Sequence, residues 1–164
     1  MRQRYTGLCT ANPGAASSPL RHRPESETMS ASTETYSAVT HDIRVSVEPD
    51  FLADQSDIAN GEFVWSYTIA IQNEGGDTVQ LRKRYWRITD QNGVENIVQG
   101  PGVVGEQPIL NPGDTFRYTS GCPLTTPSGT MVGSYTMARQ DGTTFEVDIP
   151  AFSLDLPGAR AVLN

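Results

Sequence analysis

The chain has 164 residues, which is one domain's worth, and its formal net charge of -7 disfavours nucleic acid and anionic lipid, both of which require a positive face. Fifteen glycines, eleven prolines and 37 % hydrophobic residues suit a β protein rich in turns. No apolar run reaches the roughly twenty residues of a membrane span, the amino terminus lacks the apolar core of a secretory signal, and two cysteines make no disulfide framework, so a cytoplasmic protein is expected.

Residues 1-37 read as an extension with Pro13, Pro19 and Pro24 among small polar residues and Arg, too poor in large apolar side chains to offset the entropy of ordering. Met29 opens a second plausible start of translation, and a disulfide between Cys9 and Cys122 is not expected. From His41 the pattern turns to period two: Ile43, Val45 and Val47 predict a half-buried strand that stops at Pro49. A polar connection follows from Asp50 to Gly61. Phe63, Trp65, Tyr67, Ile69 and Ile71 then alternate without a break, which marks the main contributor to the core.

After Gly75 and Gly76 the next strand starts with Val79 and Leu81 inward and resumes with Trp86 and Ile88 on the opposite parity. A one-residue change of phase is the mark of a β-bulge. Asn92 and Gly93 are expected to supply positive φ to a hairpin turn, with Val94 to Val98 as the returning strand. The segment Asn111-Pro112-Gly113-Asp114 predicts another turn, and strands are expected at Thr115 to Ser120, Met131 to Arg139 and Thr144 to Pro150, the last extended by Phe152, Leu154 and Leu156. Seven to eight strands without helical periodicity predict an all-β antiparallel sandwich of the immunoglobulin or fibronectin type III kind. The paired cysteines of antibody-like domains are missing, which favours the fibronectin-like form.

Gly100, Gly102 and Gly105 have G-x-G-x-x-G spacing, but Pro108 and Pro112 exclude the helix that a dinucleotide fold would start there. Three uses of this loop stay open: a structural crossover between sheets, a partner-binding loop that includes Glu106, or a nest of amides for a phosphate. Arg82, Lys83, Arg84 and Arg87 hold four of the twelve cations. A bulge could aim Arg82 and Arg84 at the loop to form a small cationic mouth, although a solvated, charge-protected edge explains them as well. His22 and His41 cannot furnish a metal set, and Asp50, Asp54 and Asp57 lack the alternation of a dedicated cation loop. Cys122 has no evident His partner and sits among turn residues, and Ser120 lacks a nucleophile motif, so no catalytic residue is assigned.

The motifs G-V-V-G-E-Q-P, P-G-D-T-F-R-Y-T-S-G and T-P-S-G-T-M-V-G-S-Y occur in order, and with them residues 38-164 resemble the ApaG domain. The resemblance implies a fibronectin type III-like sandwich that serves protein interaction, a family name linked to cobalt and magnesium efflux, and no established catalytic residues. The expected function is therefore a non-catalytic interaction module without cofactor or metal, monomeric or weakly dimeric, meeting a protein partner through Gly100, Gly102, Gly105, Glu106, Arg82 and Arg84. The alternatives are a sensor of nucleotide or pyrophosphate at the glycine loop and a direct binder of divalent metal.

Overall fold

A computed structural model describes residues 34-157; the start at Met29, the Cys9 pairing and His22 lie outside them. Nine strands form two antiparallel sheets, one in the order β1-β2-β3-β7 and the other β5-β4-β8-β9, with the short β6 added to β4. The strands are β1 (Tyr36–Thr40), β2 (Ile43–Phe51), β3 (Phe63–Asn73), β4 (Val79–Asp90), β5 (Glu95–Pro101), β6 (Ile109–Leu110), β7 (Thr115–Leu124), β8 (Ser128–Arg139) and β9 (Thr144–Asp155). The predicted all-β, fibronectin-like sandwich is the observed fold. Two short strands, β1 and β6, enlarge the expected count.

Alternation fills the space between the sheets. Every second residue of β3 is buried, from Phe63 to Asn73. Tyr67, Trp86 and Phe152 bring rings from both sheets to centroid distances of 5.3 to 6.0 Å, and Trp65 donates Nε1–H to the Asp155 carbonyl at 3.1 Å. Burial of such rings is the dominant stabilising contribution, about 1.5–3 kcal/mol per large side chain. Asn73 keeps the β3 parity although it is polar: its Nδ2 donates to the Asp77 and Leu110 carbonyls, and its Oδ1 accepts from Gly75 N–H. That side chain pins the β3–β4 turn to the segment entering β7.

Several local expectations need correction. β2 runs through Pro49 to Phe51, because Pro49 lies past the end of β1 and its ring nitrogen faces away from β3, where no ladder bond is lost. His41 and Asp42 form the β1–β2 turn with φ of 48° and 63°. In the β4–β5 hairpin only Gly93 has positive φ, 83°; Asn92 does not, because Asp90 Oδ1 accepts from its N–H and holds a three-residue loop rather than a two-residue one. The alternation of β9 is broken by a bulge that sets Pro150 and Ala151 against Val132. Cys122 lies in strand β7, buried opposite Trp65, and not in a turn.

Candidate functional site

The phase change read in β4 is real: Leu81 pairs with Met137 and Lys83 with Thr136, so Arg82 is the extra residue of a bulge. Its carbonyl turns toward the edge and accepts Gly102 N–H at 2.8 Å, while its side chain is exposed. The glycine segment is built around that bulge. β5 follows β4 from Thr89 to Lys83, the chain then leaves the sheet at Gly102, and it returns at Leu81, whose N–H donates to the Pro108 carbonyl before β6 resumes the pairing. The segment is therefore an excursion of one edge strand within one sheet. The crossover expected of it is made instead by Asn111 to Asp114, closed by Asp114 N–H to the Asn111 carbonyl with Gly113 at φ 89°.

At its tip Val103 and Glu106 exchange both backbone hydrogen bonds at 2.8 Å across Val104 (φ 47°) and Gly105 (φ 76°). A β-branched residue in the left-handed region is strained, and Val104 is kept there by packing its side chain against the core. Gly102 is required twice over: its φ is 64°, and a Cβ would stand 2.3 Å from the Glu106 carbonyl oxygen. Gly105 meets only open space, so its conformation alone demands glycine. The amides of Gly102, Val103 and Glu106 are all engaged within the protein, which leaves little of a convergent phosphate nest.

Arg84 lies under this turn. It shares the inward parity of Trp86, and its Nη1 donates to the carbonyls of Pro101 at 3.0 Å and Gly102 at 2.9 Å. Gly100 stands directly opposite, and a Cβ there would be 3.4 Å from Nη1. The structure thus joins Arg84, Gly100 and Gly102 in one cluster. The side chains of Arg82 and Glu106 are exposed beside it. Behind Arg84 the buried Tyr135 hydroxyl meets that of Tyr118, tying the two sheets together, and burial first, with the neighbouring phenol second, drives the Tyr135 pKa well above its ordinary value.

The other parity of β4 faces outward. Lys83, Tyr85, Gln99, Pro101 and Thr136 line a shallow concavity of about 330 Å³ over the backbone of Arg84 and Gly100. Of the six large hydrophobic residues exposed among the described ones, four belong to the edge of this sheet: Tyr85, Val94, Ile97 and Ile109. Sequence reasoning missed them because an outward Ile in an alternating strand has the same pattern as an inward one. The signal that distinguishes them is pairing: Ile97 stands opposite Arg87, and Val98 opposite Trp86.

Residues considered for chemistry stay apart. His41 stacks edge-on against Phe145 at the Ile43 end of the first sheet, whereas Cys122 and Ser120 lie in the rows of Trp65 and Tyr67, about six to eight residues along and so roughly 20–25 Å away. Among the described residues no three of His, Cys, Asp and Glu stand close enough to hold a metal ion, and no helix is long and apolar enough to cross a membrane.

Residues 53–139 match the family model described as the ApaG domain. The chain is 61% identical to Protein ApaG of Brucella anthropi over 129 residues, which are 79% of this chain and 99% of that protein, and 57% identical to Protein ApaG of Beijerinckia indica over the same shares. It is also similar to the crystal structure of an ApaA protein from Bordetella pertussis, with a TM-score of 0.70 and 47% identity over 72% of this chain and 96% of that one.

Proposed function

The chain belongs to the ApaG domain family, and from that premise we propose that it is a non-catalytic, cytoplasmic interaction module that meets a protein partner with the outer face of β4 and β5 beside the glycine turn. The supporting observation is the exposure of Tyr85 and Ile97 between Lys83 and Arg87, with Val94 and Ile109 exposed at the two ends of the same margin. An aromatic residue and basic side chains around a shallow apolar surface are the composition of a binding patch rather than of an ordinary solvated face. Arg84 has a supporting role here: bonded to two carbonyls, it fixes the turn.

Gly102 and Arg84 shape the scaffold, so the informative variant is Lys83→Glu with Tyr85→Ala, two exposed positions whose replacement leaves the core intact. In a cross-linking pull-down the double variant loses the partners that wild type retains, while Arg117→Glu on the opposite sheet keeps them. Identical partner sets for all three proteins overturn this assignment of the surface.

A further inference from the structure

We propose that the free edge of β5 is a docking groove for an extended acidic segment of the partner, which adds to the sheet as a further antiparallel strand. This inference rests on the reading that the β4–β5 face meets a protein, and it states how.

Two bonds fix which backbone groups face outward. Asp90 N–H donates to the Val94 carbonyl at one end of the hairpin, and Gly102 N–H to the Arg82 carbonyl at the other. In an antiparallel pair the bonded positions recur every second residue. Positions 94, 96, 98, 100 and 102 are therefore directed to β4, and the N–H and C=O groups of Glu95, Ile97 and Gln99 are directed away from it. No strand pairs with that side among the described residues. The row ends at Pro101, which has no N–H and whose carbonyl is held by Arg84. Three donors and three acceptors in register, with a defined stop, form a template for strand addition.

The other edges are unlike it. β1 and β9 lean on each other, with Asp148 N–H donating to Thr40 Oγ1 and the Tyr36 hydroxyl against Ser153 Oγ. β7 has an open side, but Asn73 N–H to the Asp114 carbonyl fixes its alternation so that Thr115, Arg117 and Thr119 present the free groups, with polar exposed side chains and Gly121 and Pro123 beyond. Among the described strands longer than two residues, the β5 edge alone combines free backbone groups with exposed apolar neighbours, Ile97 and Tyr85.

Charge decides the occupant. An added strand lies about 10 Å from β4, within reach of Lys and Arg side chains that extend over β5. Among the described residues no carboxylate pairs with Lys83 or Arg82, whereas Arg87 is already engaged with Glu95 at 4.0 Å. For an antiparallel partner the residue opposite Gln99 precedes the one opposite Ile97. The preferred segment thus has a carboxylate two positions before an apolar residue, followed two positions later by a neutral or basic residue facing Glu95.

The test uses the full chain, a short end-capped threonine peptide carrying aspartate and then valine two positions later, and the same peptide with lysine for aspartate. Hydrogen exchange at the Glu95, Ile97 and Gln99 amides is expected to slow with the aspartate peptide, and the lysine peptide to bind at least about tenfold more weakly, as like charges oppose it. Gln99→Pro removes one outward N–H and no internal bond, a position where an edge strand tolerates proline; this variant, checked for an unchanged melting temperature, is expected to lose the peptide. Equal binding to Gln99→Pro, or no binding at millimolar peptide, overturns strand addition. If Lys83→Glu/Tyr85→Ala still loses its partners in the pull-down, the face stands and only the docking mode falls; if those partners persist, the face falls too. A concentration-dependent dimer in sedimentation, abolished by Gln99→Pro, would make a second copy the occupant and overturn the acidic segment.

Discussion

The two sheets share one core and differ in what they present to solvent. On the outer face of β1, β2, β3 and β7 the polar side chains satisfy one another: Thr68 with Thr119, Ser37 with Ser46, Arg44 with Glu74. Its concavity, about 400 Å³ between Arg44, Glu48, Thr68 and Arg117, is lined by polar and charged side chains apart from Ala70. Among the described residues the outer face of β4 and β5 leaves Lys83 without a carboxylate partner and Tyr85 and Ile97 exposed, beside a turn closed by the two backbone bonds between Val103 and Glu106. A face that closes its own hydrogen bonds has little to gain from a partner. The contrast is the ground for assigning the proposed partner to the β4–β5 face of an otherwise acidic protein.

The contrast breaks most sharply at Gly102. Alanine there combines a disfavoured φ with a contact that must push the Glu106 carbonyl aside, so Gly102→Ala is expected to cost about 3 kcal/mol or more in denaturant unfolding, against about 1 kcal/mol for Gly105→Ala, which incurs the conformational cost alone. Equal losses would mean that the turn is not built as described. Next in size is Asn73→Leu, expected to cost about 2–3 kcal/mol because the Asp77 and Leu110 carbonyls lose their donor.

Alkaline stability probes the tie behind Arg84. Tyr135 has a folded pKa raised by burial, so the unfolded chain gives up its proton first; stability is complete below about pH 10 and falls as pH rises from there. Unfolding midpoints measured between neutral pH and pH 11 or so should fall less in Tyr135→Phe than in wild type. The smallest effect is expected on the self-satisfied face: Thr68→Val removes one exposed hydroxyl pair, worth roughly 0.2–1 kcal/mol, and leaves partner binding unchanged.

Much of this architecture was legible in the sequence because burial enforces parity. β3 announced itself from Phe63 to Ile71, and the jump from Leu81 to Trp86 disclosed the bulge at Arg82. The same kind of jump, from Ile149 to Phe152, passed for continuous alternation since Pro150 and Ala151 are apolar enough to hide it. β1 escaped notice because its five residues contain no strong alternation, and it is held by β2 and β9. At the candidate site, Gly100, Gly102 and Arg84 were foreseen as neighbours, but their relation was not: whether an arginine faces a ligand or a backbone carbonyl depends on the pairing of distant strands. The positive φ of Val104 has no sequence signal, since tertiary packing overrides the preference of a β-branched residue.

Site-specific photo-cross-linking gives the most direct test of the central claim. With the photoreactive residue placed at position 97 on β5 or at position 119 on β7, the account predicts a cross-linked protein partner at position 97 and none at position 119. A partner captured at position 119 and absent at position 97 would contradict it.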